Sequence, residues 1–300
     1  RPLDSFMPTA VREALPVLSA ELAALATLRE QHPGQDGSAR LLVGLKDGQT
    51  VESVLLPRDG LCVSSQVGCA VGCVFCMTGR EGLIRQVGSA EIVAQVALAR
   101  TLRPVKKVVF MGMGEPLLNY KNVLKAIEKI TSPEGLGMSP RRITVSTAGV
   151  AKQIKQLGDD QVKFKLALSL HAANDKKRNE IMPINESNNI ESLIDALNYF
   201  YKKTGNEITF EYILFKDFND SEKDAMELVK IYRQVPADLI NVIEYNAIDR
   251  FPFDKPDEEG FERFVEILQK NRVNVRIRRS RGKDIDAACG QLANKNEAVS

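Results

Sequence analysis

The sequence predicts an α/β fold, namely a partial (β/α)6 TIM-like barrel preceded by a small N-terminal α+β accessory module. Three observations predict it. From residue 61 onward, short apolar segments alternate with segments of helical periodicity, and this alternation is typical of a parallel sheet with right-handed crossovers. Six strand–helix repeats are present, where a complete barrel has eight. The polar motifs follow the predicted strands, which is where such barrels carry their functional groups.

The first part of the chain predicts the accessory module. Residues 9–30 have the apolar spacing of a helix, and HPGQDG at 32–37 predicts a turn. Residues 41–56 alternate in polarity around Asp47 and Gly48, a pair that favours a β-hairpin.

The predicted barrel occupies residues 61–300, and residues 1–60 form the other expected domain. Its strands are expected at 61–67, 106–111, 142–147, 163–170, 207–215 and 239–245, with a further strand at 273–278. Its helices are expected near 89–102, 119–131, 149–158, 190–203, 220–233 and 257–270. The small residues and glycines of RGKDIDAACGQLA (281–293) predict a loop-like tail.

Composition excludes several classes of protein. Of the 300 residues, 44% are hydrophobic and the net charge is only +2, which fits an ordinary globular core. No run of about 18 apolar residues predicts a membrane-spanning helix, and RPLDSFMPTAVREAL lacks the apolar core of a secretory signal. Five unevenly spaced cysteines do not resemble a secreted disulfide framework. We therefore expect a cytoplasmic protein that does not engage membranes.

The motif CAVGCVFC contains the most informative residues, Cys69, Cys73 and Cys76. Three thiolates from one loop can hold three irons of a [4Fe–4S] cluster and leave the fourth iron open to a small molecule. A structural zinc ion needs four ligands. The fourth would have to be Cys62, Cys289 or a histidine, because no second Cys-x-x-Cys occurs. The spacing favours the cluster over zinc.

Polar groups follow several predicted strands. GMGEP at 112–116 has glycines that allow a ligand to approach the backbone, and its Glu115 is an acceptor for an ammonium group. The groups at the other strand ends are Ser146, Ser169, His171 and Asn246. Each signal is weak alone, and a lone histidine is more often structural. Gathered at one end of a barrel, these groups would bind hydroxyl and carboxylate groups.

Two cysteines remain outside the motif, Cys62 on the first barrel strand and Cys289 in the tail. A free cysteine is usually a buried apolar residue. Little apolar periodicity surrounds Cys289, however, which favours an accessible and reactive thiol. The two cysteines are candidates for a redox pair.

A basic run precedes the tail. It contains Arg276, Arg278, Arg279, Arg281 and Lys283. Such a run is usually a solvated strand edge, but its proximity to Cys289 favours a rim that contacts phosphates.

These motifs together resemble those of the RlmN/Cfr family of radical S-adenosylmethionine (SAM) RNA methyltransferases. The similarity extends from residue 4 to residue 293. It is most specific in LCVSSQVGCAVGCVFC, FMGMGEPLLN, SPRRITVSTAGV, LSLHAANDKKRNEIMPIN and RGKDIDAACGQLA. GEPLLN and STAGV are closer to the RlmN branch. The resemblance implies the radical SAM type of barrel, with an accessory module shorter than is usual in the family.

The resemblance also assigns roles to residues. The cluster ligands would be Cys69, Cys73 and Cys76. The positions that contact SAM would be Gly114, Glu115, Ser146, Ser169, Leu170, His171 and Asn246. The catalytic residues would be Cys289, which is itself methylated, Cys62, its resolving partner, and Glu52, the proton acceptor.

The implied activity is methylation of C2 of an adenosine in 23S rRNA, and of tRNA in part of the family. Two SAM molecules would be used per turnover. One would methylate Cys289, and the other would yield the radical that removes hydrogen from the S-methyl group. The resulting methylene would add to C2, and attack by Cys62 on the Cys289 sulfur would release methylated RNA and form a disulfide. The implied electron donor is a protein such as flavodoxin, and we expect a monomer.

Three alternatives stay open at this point. The same scaffold methylates C8 in the Cfr branch, with antibiotic resistance as the consequence. Another radical SAM oxidoreductase or sulfur-inserting enzyme would often carry additional cysteine-rich motifs, which the sequence lacks. An iron–sulfur or zinc RNA-binding module would need neither Cys62 nor Cys289 nor GMGEP.

Overall fold

The computed structural model describes residues 8–248, 253–279 and 281–293. Its α-helices are α1 (Thr9–Ala23), α2 (Ser89–Leu102), α3 (Tyr120–Thr131), α4 (Ala151–Asp159), α5 (Asp175–Ile181), α6 (Ile190–Thr204), α7 (Glu222–Tyr232) and α8 (Glu258–Lys270). Its strands are β1 (Thr27–Pro33), β2 (Ala39–Gly44), β3 (Thr50–Leu56), β4 (Gly60–Cys62), β5 (Gln66–Gly68), β6 (Leu83–Gln86), β7 (Lys107–Phe110), β8 (Ile143–Thr147), β9 (Lys165–Ser169), β10 (Ile208–Leu214), β11 (Leu239–Glu244) and β12 (Val275–Arg278).

Ten of these strands form one sheet in the order β1-β2-β3-β4-β7-β8-β9-β10-β11-β12, and β5 pairs with β6 separately. Neighbours from β4 to β12 are parallel, whereas those from β1 to β4 are antiparallel. The parallel part contains the six expected barrel strands and the further strand. The predicted partial barrel is therefore confirmed.

The core lies between the parallel strands and the helices that connect them. Helix α3 shows why these segments fold as they do, since its buried residues Val123, Ala126, Ile127 and Ile130 recur at helical spacing along one face. All seven residues of β10 are buried, as expected for a parallel strand covered on both faces. This arrangement brings the carboxyl ends of the strands to one edge of the sheet.

The accessory module agrees with the prediction only in part. The hairpin is confirmed as β2 and β3. The helix expected over 9–30 is wrong in its last third, because α1 ends at Ala23 and Thr27–Pro33 forms β1, antiparallel to β2. Most β1 side chains are exposed, so no apolar alternation indicates this strand. Because β3 pairs with β4, the hairpin extends the barrel sheet, and the domain boundary after residue 60 stays a prediction.

The strand expected over 61–67 is interrupted. β4 ends at Cys62, and β5 begins at Gln66 in a different pairing. Between them, Ser64 donates its amide to Oε1 of Gln95 and accepts at its carbonyl from Nε2, both at 3.0 Å. A buried side chain thus satisfies the backbone where a neighbouring strand would otherwise do so. Strand β6 and helix α5 are additional elements that the sequence did not predict.

Candidate active site

A cavity of about 780 Å³ opens at the carboxyl ends of the barrel strands. It receives residues from the cysteine loop, from several strand ends and from the tail. Among its lining residues are Cys62, Cys69, Cys73, Cys76, Gly114, Glu115, Ser146, Ser169, His171, Arg278 and Cys289. Groups that are far apart in sequence therefore face one space.

The cysteine loop leaves the β5–β6 hairpin through a glycine. Gly68 has φ +74°, and a Cβ there would lie 2.1 Å from the carbonyl oxygen of Gly82, so only glycine fits this turn. The amide of Cys69 donates to that same carbonyl at 2.9 Å, and the amide of Val74 donates to Ile181 at 3.0 Å. These bonds fix the loop at both the hairpin and α5.

Phe75 anchors the loop from within. Its side chain is buried and lies edge-on to His171, with ring centroids 5.0 Å apart, and 5.5 Å from the ring of Phe215. Aromatic contacts of this geometry stabilise beyond the area they bury. The phenylalanine therefore fixes the loop between Cys73 and Cys76, both of which line the cavity.

Glu115 is buried at the end of the loop after β7. Its two carboxylate oxygens accept from the amides of Leu117 at 2.9 Å and Ala148 at 2.6 Å. Burial raises the pKa of Glu115, and these backbone hydrogen bonds oppose the shift. Gly114, with φ +94°, packs against Gln66, which accepts from the Glu115 amide at 2.7 Å.

The next two strands end in hydroxyl groups and a histidine. The Oγ atoms of Ser146 and Ser169 lie 3.3 Å apart across β8 and β9. His171 has φ +55° and accepts at Nδ1 from the amide of Ile213 at 3.1 Å. Burial lowers the pKa of His171 to about 3, so the ring is neutral at physiological pH.

Leu170 and Asn246 are placed differently from the other expected SAM contacts. Both are buried, Leu170 to 1% exposure and Asn246 to 7%. Neither belongs to the cavity lining among the described residues. The carbonyl of Leu170 accepts a hydrogen bond from Arg178, and Asn246 lies two residues after the end of β11.

The comparisons with known proteins agree with this geometry. Residues 63–229 match the radical SAM superfamily. A probable dual-specificity RNA methyltransferase RlmN of Christiangramia forsetii is 52% identical over 270 residues, which cover 87% of this chain and 76% of the relative. A probable RNA methyltransferase of Azoarcus sp. is 50% identical over 287 residues, which cover 96% of this chain and 82% of the relative. The crystal structure of a radical SAM methyltransferase from Sphaerobacter thermophilus superimposes with a TM-score of 0.88 at 37% identity, covering 97% of this chain and 87% of that one.

The chain belongs to the RlmN/Cfr family of radical SAM RNA methyltransferases. It is a methyltransferase that acts on RNA and uses a [4Fe–4S] cluster and SAM. Within the residues that the structure describes, no helix is long and apolar enough to cross a membrane.

The three loop cysteines fit the cluster of this family better than a single ion. No three His, Cys, Asp or Glu side chains of the described residues converge closely enough for one metal ion. A four-iron cluster does not need such convergence, because each thiolate binds a different iron. Burial raises the pKa of Cys69 to about 12 and raises that of Cys73 well above its usual value, and the neighbouring cysteines add to both shifts. Positive irons in place of the protons would remove this penalty.

The two remaining cysteines of this family member share the cavity but are not joined. Cys62 is buried, whereas Cys289 is half-buried, and all five cysteines are free thiols. The disulfide expected between them is therefore absent from the structure. Burial raises the pKa of Cys62 to about 12, and the negative charge of Cys289, which lines the same cavity, adds to this shift.

The tail that carries Cys289 is docked on the cysteine loop. Gly290 accepts at its carbonyl from the amide of Met77 at 2.8 Å, and Leu292 accepts from Oγ1 of Thr78 at 2.6 Å. A Cβ on Gly290 would lie 2.8 Å from the carbonyl oxygen of Phe75. Cys289, the expected methyl acceptor, is thus held beside the three loop cysteines by these contacts.

Glu52 lies under this tail. It is fully buried on β3, pairs with Arg40 of β2 at 2.6 Å, and accepts from the amide of Ala293 at 2.8 Å. It is two residues from Val54, which lines the cavity, and so faces the same side of β3. Its assignment as proton acceptor stays a prediction, since both of its oxygens are already engaged by protein groups.

Arg178 is a site residue that sequence reasoning missed. Its guanidinium is fully buried and donates to the carbonyls of Leu170 at 3.0 Å and Ser169 at 3.2 Å, to that of Ala148, and to Oδ1 of Asn185 at 2.6 Å. It therefore braces the ends of β8 and β9. The one sequence signal for it was its place in the family motif LSLHAANDKKRNEIMPIN. Residue type alone predicts an exposed side chain, because arginine is rarely fully buried.

The basic run does not form one uniform surface. Arg276 and Arg281 are exposed, and Arg281 also lines the cavity. Arg279 pairs with Glu258, and Lys283 pairs with Glu244. Arg278 and Arg279 also line the cavity, and Arg278 pairs there with the buried Glu211.

Proposed function

We propose that this enzyme methylates C2 of an adenosine in 23S rRNA, and also in tRNA, through an S-methylcysteine. The observation that supports it most is the presence of Cys62 and Cys289 in the cavity that holds the three loop cysteines. Direct transfer from SAM to a nucleophilic atom would need neither cysteine. Several relatives are named dual-specificity RNA methyltransferase RlmN, which favours the C2 reaction and two classes of RNA.

The chemistry explains why cysteines are required. C2 of adenine is not nucleophilic, so the methyl group must first pass to the protein, as in covalent catalysis. When bound, the cluster and SAM supply a methyl group and a carbon radical that removes hydrogen from it. Cys69, Cys73 and Cys76 would hold the cluster. The polar groups at the strand ends, among them Ser146 and Ser169, would orient SAM.

Cys289 is the residue that carries the one-carbon unit. Its sulfur takes the methyl group and later joins the RNA through a methylene. Glu52 would accept the proton lost from C2, and the unpaired electron left on the adduct would pass back to the cluster held by the loop cysteines. The Cys62 thiolate then attacks the Cys289 sulfur, so that a sulfur–sulfur bond forms as the sulfur–methylene bond breaks. The electron pair passes to the methylene carbon, which takes a proton and becomes the methyl group of the product. A thiol reductant would restore the two cysteines.

The target base must leave its stack to reach the cavity. Arg281, which is exposed and lines the cavity, and the exposed Arg276 would contact RNA phosphates. An electron donor such as flavodoxin and a monomeric state remain predictions.

The proposal is tested with anaerobically reconstituted enzyme, SAM, a reductant and unmodified 23S rRNA, followed by mass spectrometry of the digested nucleosides. 2-Methyladenosine is expected, and Cys289→Ala should give none. 8-Methyladenosine from the unchanged enzyme would overturn the assignment to C2. A separate reaction with tRNA tests the second substrate class.

A further inference from the structure

Arg278 occupies a position that the proposed mechanism does not use. It is the last residue of β12, the edge strand of the barrel, and it lines the cavity together with Cys62 and Cys289. Its side chain keeps 33% of its surface accessible. Arg279 and Arg281 also line the cavity, but Arg279 pairs with the exposed carboxylate of Glu258. Arg278 is set apart by its buried carboxylate partner.

The guanidinium of Arg278 is held in place by a buried carboxylate. Nη1 donates to Oε2 of Glu211 at 2.9 Å, and the Glu211 side chain is only 5% exposed. The other oxygen of Glu211 accepts from Nδ2 of Asn241 at 2.7 Å. Charge-assisted bonds of this kind fix orientation as well as adding energy. The two Nη atoms also lie 3.7 and 3.8 Å from the sulfur of Met111.

The positive charge of Arg278 also interacts with the two cysteines outside the cluster motif, more with Cys289 than with Cys62. Burial raises the pKa of Cys62 to about 12, and the negative charge of Cys289 adds to the shift. Two features act in the opposite direction, a backbone hydrogen bond from Met111 and the positive charge of Arg278. Only the thiolate is a nucleophile. The proposed attack by Cys62 therefore requires a thiolate, at a position where burial disfavours the charged form of the side chain.

We propose that Arg278, oriented by Glu211, is a positioning residue that stabilises the thiolate of Cys62 for its attack on the Cys289 sulfur. The proposal deepens the proposed function, because the nucleophilic role of Cys62 comes from it. Arginine suits the task, since it stays charged when partly buried and its planar group can serve two anions together. Glu211 holds the guanidinium but also neutralises part of its charge.

An alternative role for the pair is purely structural, as an ion pair that fastens β12 to the interior of the barrel. The two roles predict different behaviour of the Cys62 thiol. A brace would leave thiol reactivity unchanged as long as the fold persists. An electrostatic partner would change reactivity in opposite directions when the cation and the carboxylate are removed in turn.

The test measures the rate of iodoacetamide alkylation of Cys62 between pH 7 and 9. It uses anaerobic, cluster-loaded protein that carries Cys289→Ala, so that Cys62 is the only cysteine outside the cluster motif. Peptide mass spectrometry gives the rate at this site alone. Arg278→Gln should slow alkylation by on the order of tenfold, since one pKa unit changes the thiolate fraction by that factor. Arg279→Gln, the neighbouring arginine that pairs with Glu258, should leave the rate unchanged.

Glu211→Gln tests the opposite change in charge near Cys62. The amide keeps an oxygen that accepts from Arg278, but it no longer neutralises the guanidinium, so alkylation should become faster. This variant also keeps the proposal testable if Arg278→Gln fails to retain its cluster. Equal rates for Glu211→Gln and the parent protein, or an unchanged rate in folded Arg278→Gln, would overturn the proposal.

The alkylation experiment contains no RNA and no SAM, so its result is separate from the proposed function. Rates that change as expected, together with no 2-methyladenosine in the RNA assay, would reject only the proposed function. 2-Methyladenosine with unchanged alkylation rates would reject only the role of Arg278.

Discussion

Gly114→Ala probes the contact that places Glu115 in the cavity. A Cβ at this position would lie 2.4 Å from Cβ and 2.8 Å from the backbone nitrogen of Gln66. The nitrogen cannot rotate away, so the segment itself must move. Because Gln66 accepts from the Glu115 amide at 2.7 Å, such a movement also displaces the carboxylate expected to bind the ammonium group of SAM.

The magnitude follows from two costs. A non-glycine residue held at positive φ loses on the order of 1–3 kcal/mol, and overpacking adds about 1–3 kcal/mol. Gly137→Ala is the matched control, because Gly137 has φ +64° and no atom within 4 Å of its added Cβ. Only the backbone cost of about 1–2 kcal/mol applies there. Gly114→Ala should therefore destabilise the protein by roughly 1–4 kcal/mol more than the control does.

The assay compares the thermal unfolding of the two cluster-loaded variants and their SAM affinity by equilibrium dialysis. At about 2–4 °C per kcal/mol for a domain of comparable size, Gly114→Ala should melt several degrees below Gly137→Ala. It should also bind SAM at least about tenfold more weakly, which corresponds to about 1.4 kcal/mol. Equal melting temperatures together with equal SAM affinities would refute the reasoning.

Three further predictions concern the cysteines, the tail and the histidine. Cys62→Ala should accumulate a covalent protein–RNA adduct in active cells, whereas Cys289→Ala should not. A gel shift that disappears on ribonuclease treatment measures the adduct, and RNA-free protein from both variants would contradict the mechanism. Thr78→Val removes the 2.6 Å bond to the tail and should raise the alkylation rate of Cys289 several-fold, as for a contact of about 1 kcal/mol. An unchanged rate would show that the other tail contacts suffice. Because burial lowers the pKa of His171 from 6.5 to about 3, the unfolded state binds the extra proton, and stability should fall by up to about 1.4 kcal/mol per unit as pH drops below 6.5 toward 3. Urea unfolding at pH 7 and 5 should show a smaller loss of stability in His171→Asn than in the parent. His32→Asn, at a partly exposed histidine, is the control that retains the full loss.

The sequence predicted the barrel well because its signals are local. The helix expected at 89–102 is α2, with the same bounds, and the other barrel helices and strands agree within a few residues, except for the interrupted first strand. Apolar periodicity and turn residues report on each segment separately. In exposed β1, pairing is made by the backbone alone, so the local sequence signal is absent. After Cys62, the distant side chain of Gln95 interrupts the strand, so the local signal is misleading.

The same division holds at the site. Sequence alone determined the chemistry of the donors: the spacing of Cys69, Cys73 and Cys76, and the presence of two further cysteines. Only the tertiary structure decided that Cys289 docks on the cysteine loop and that Arg178 is buried against the ends of β8 and β9. It also decided that Arg278, alone of the described basic run, combines a buried carboxylate partner with a place in the cavity that Cys62 lines. The physical reason is that ligand type is a property of a residue. Charge environment, by contrast, depends on burial and on partners that the chain supplies from far away in sequence.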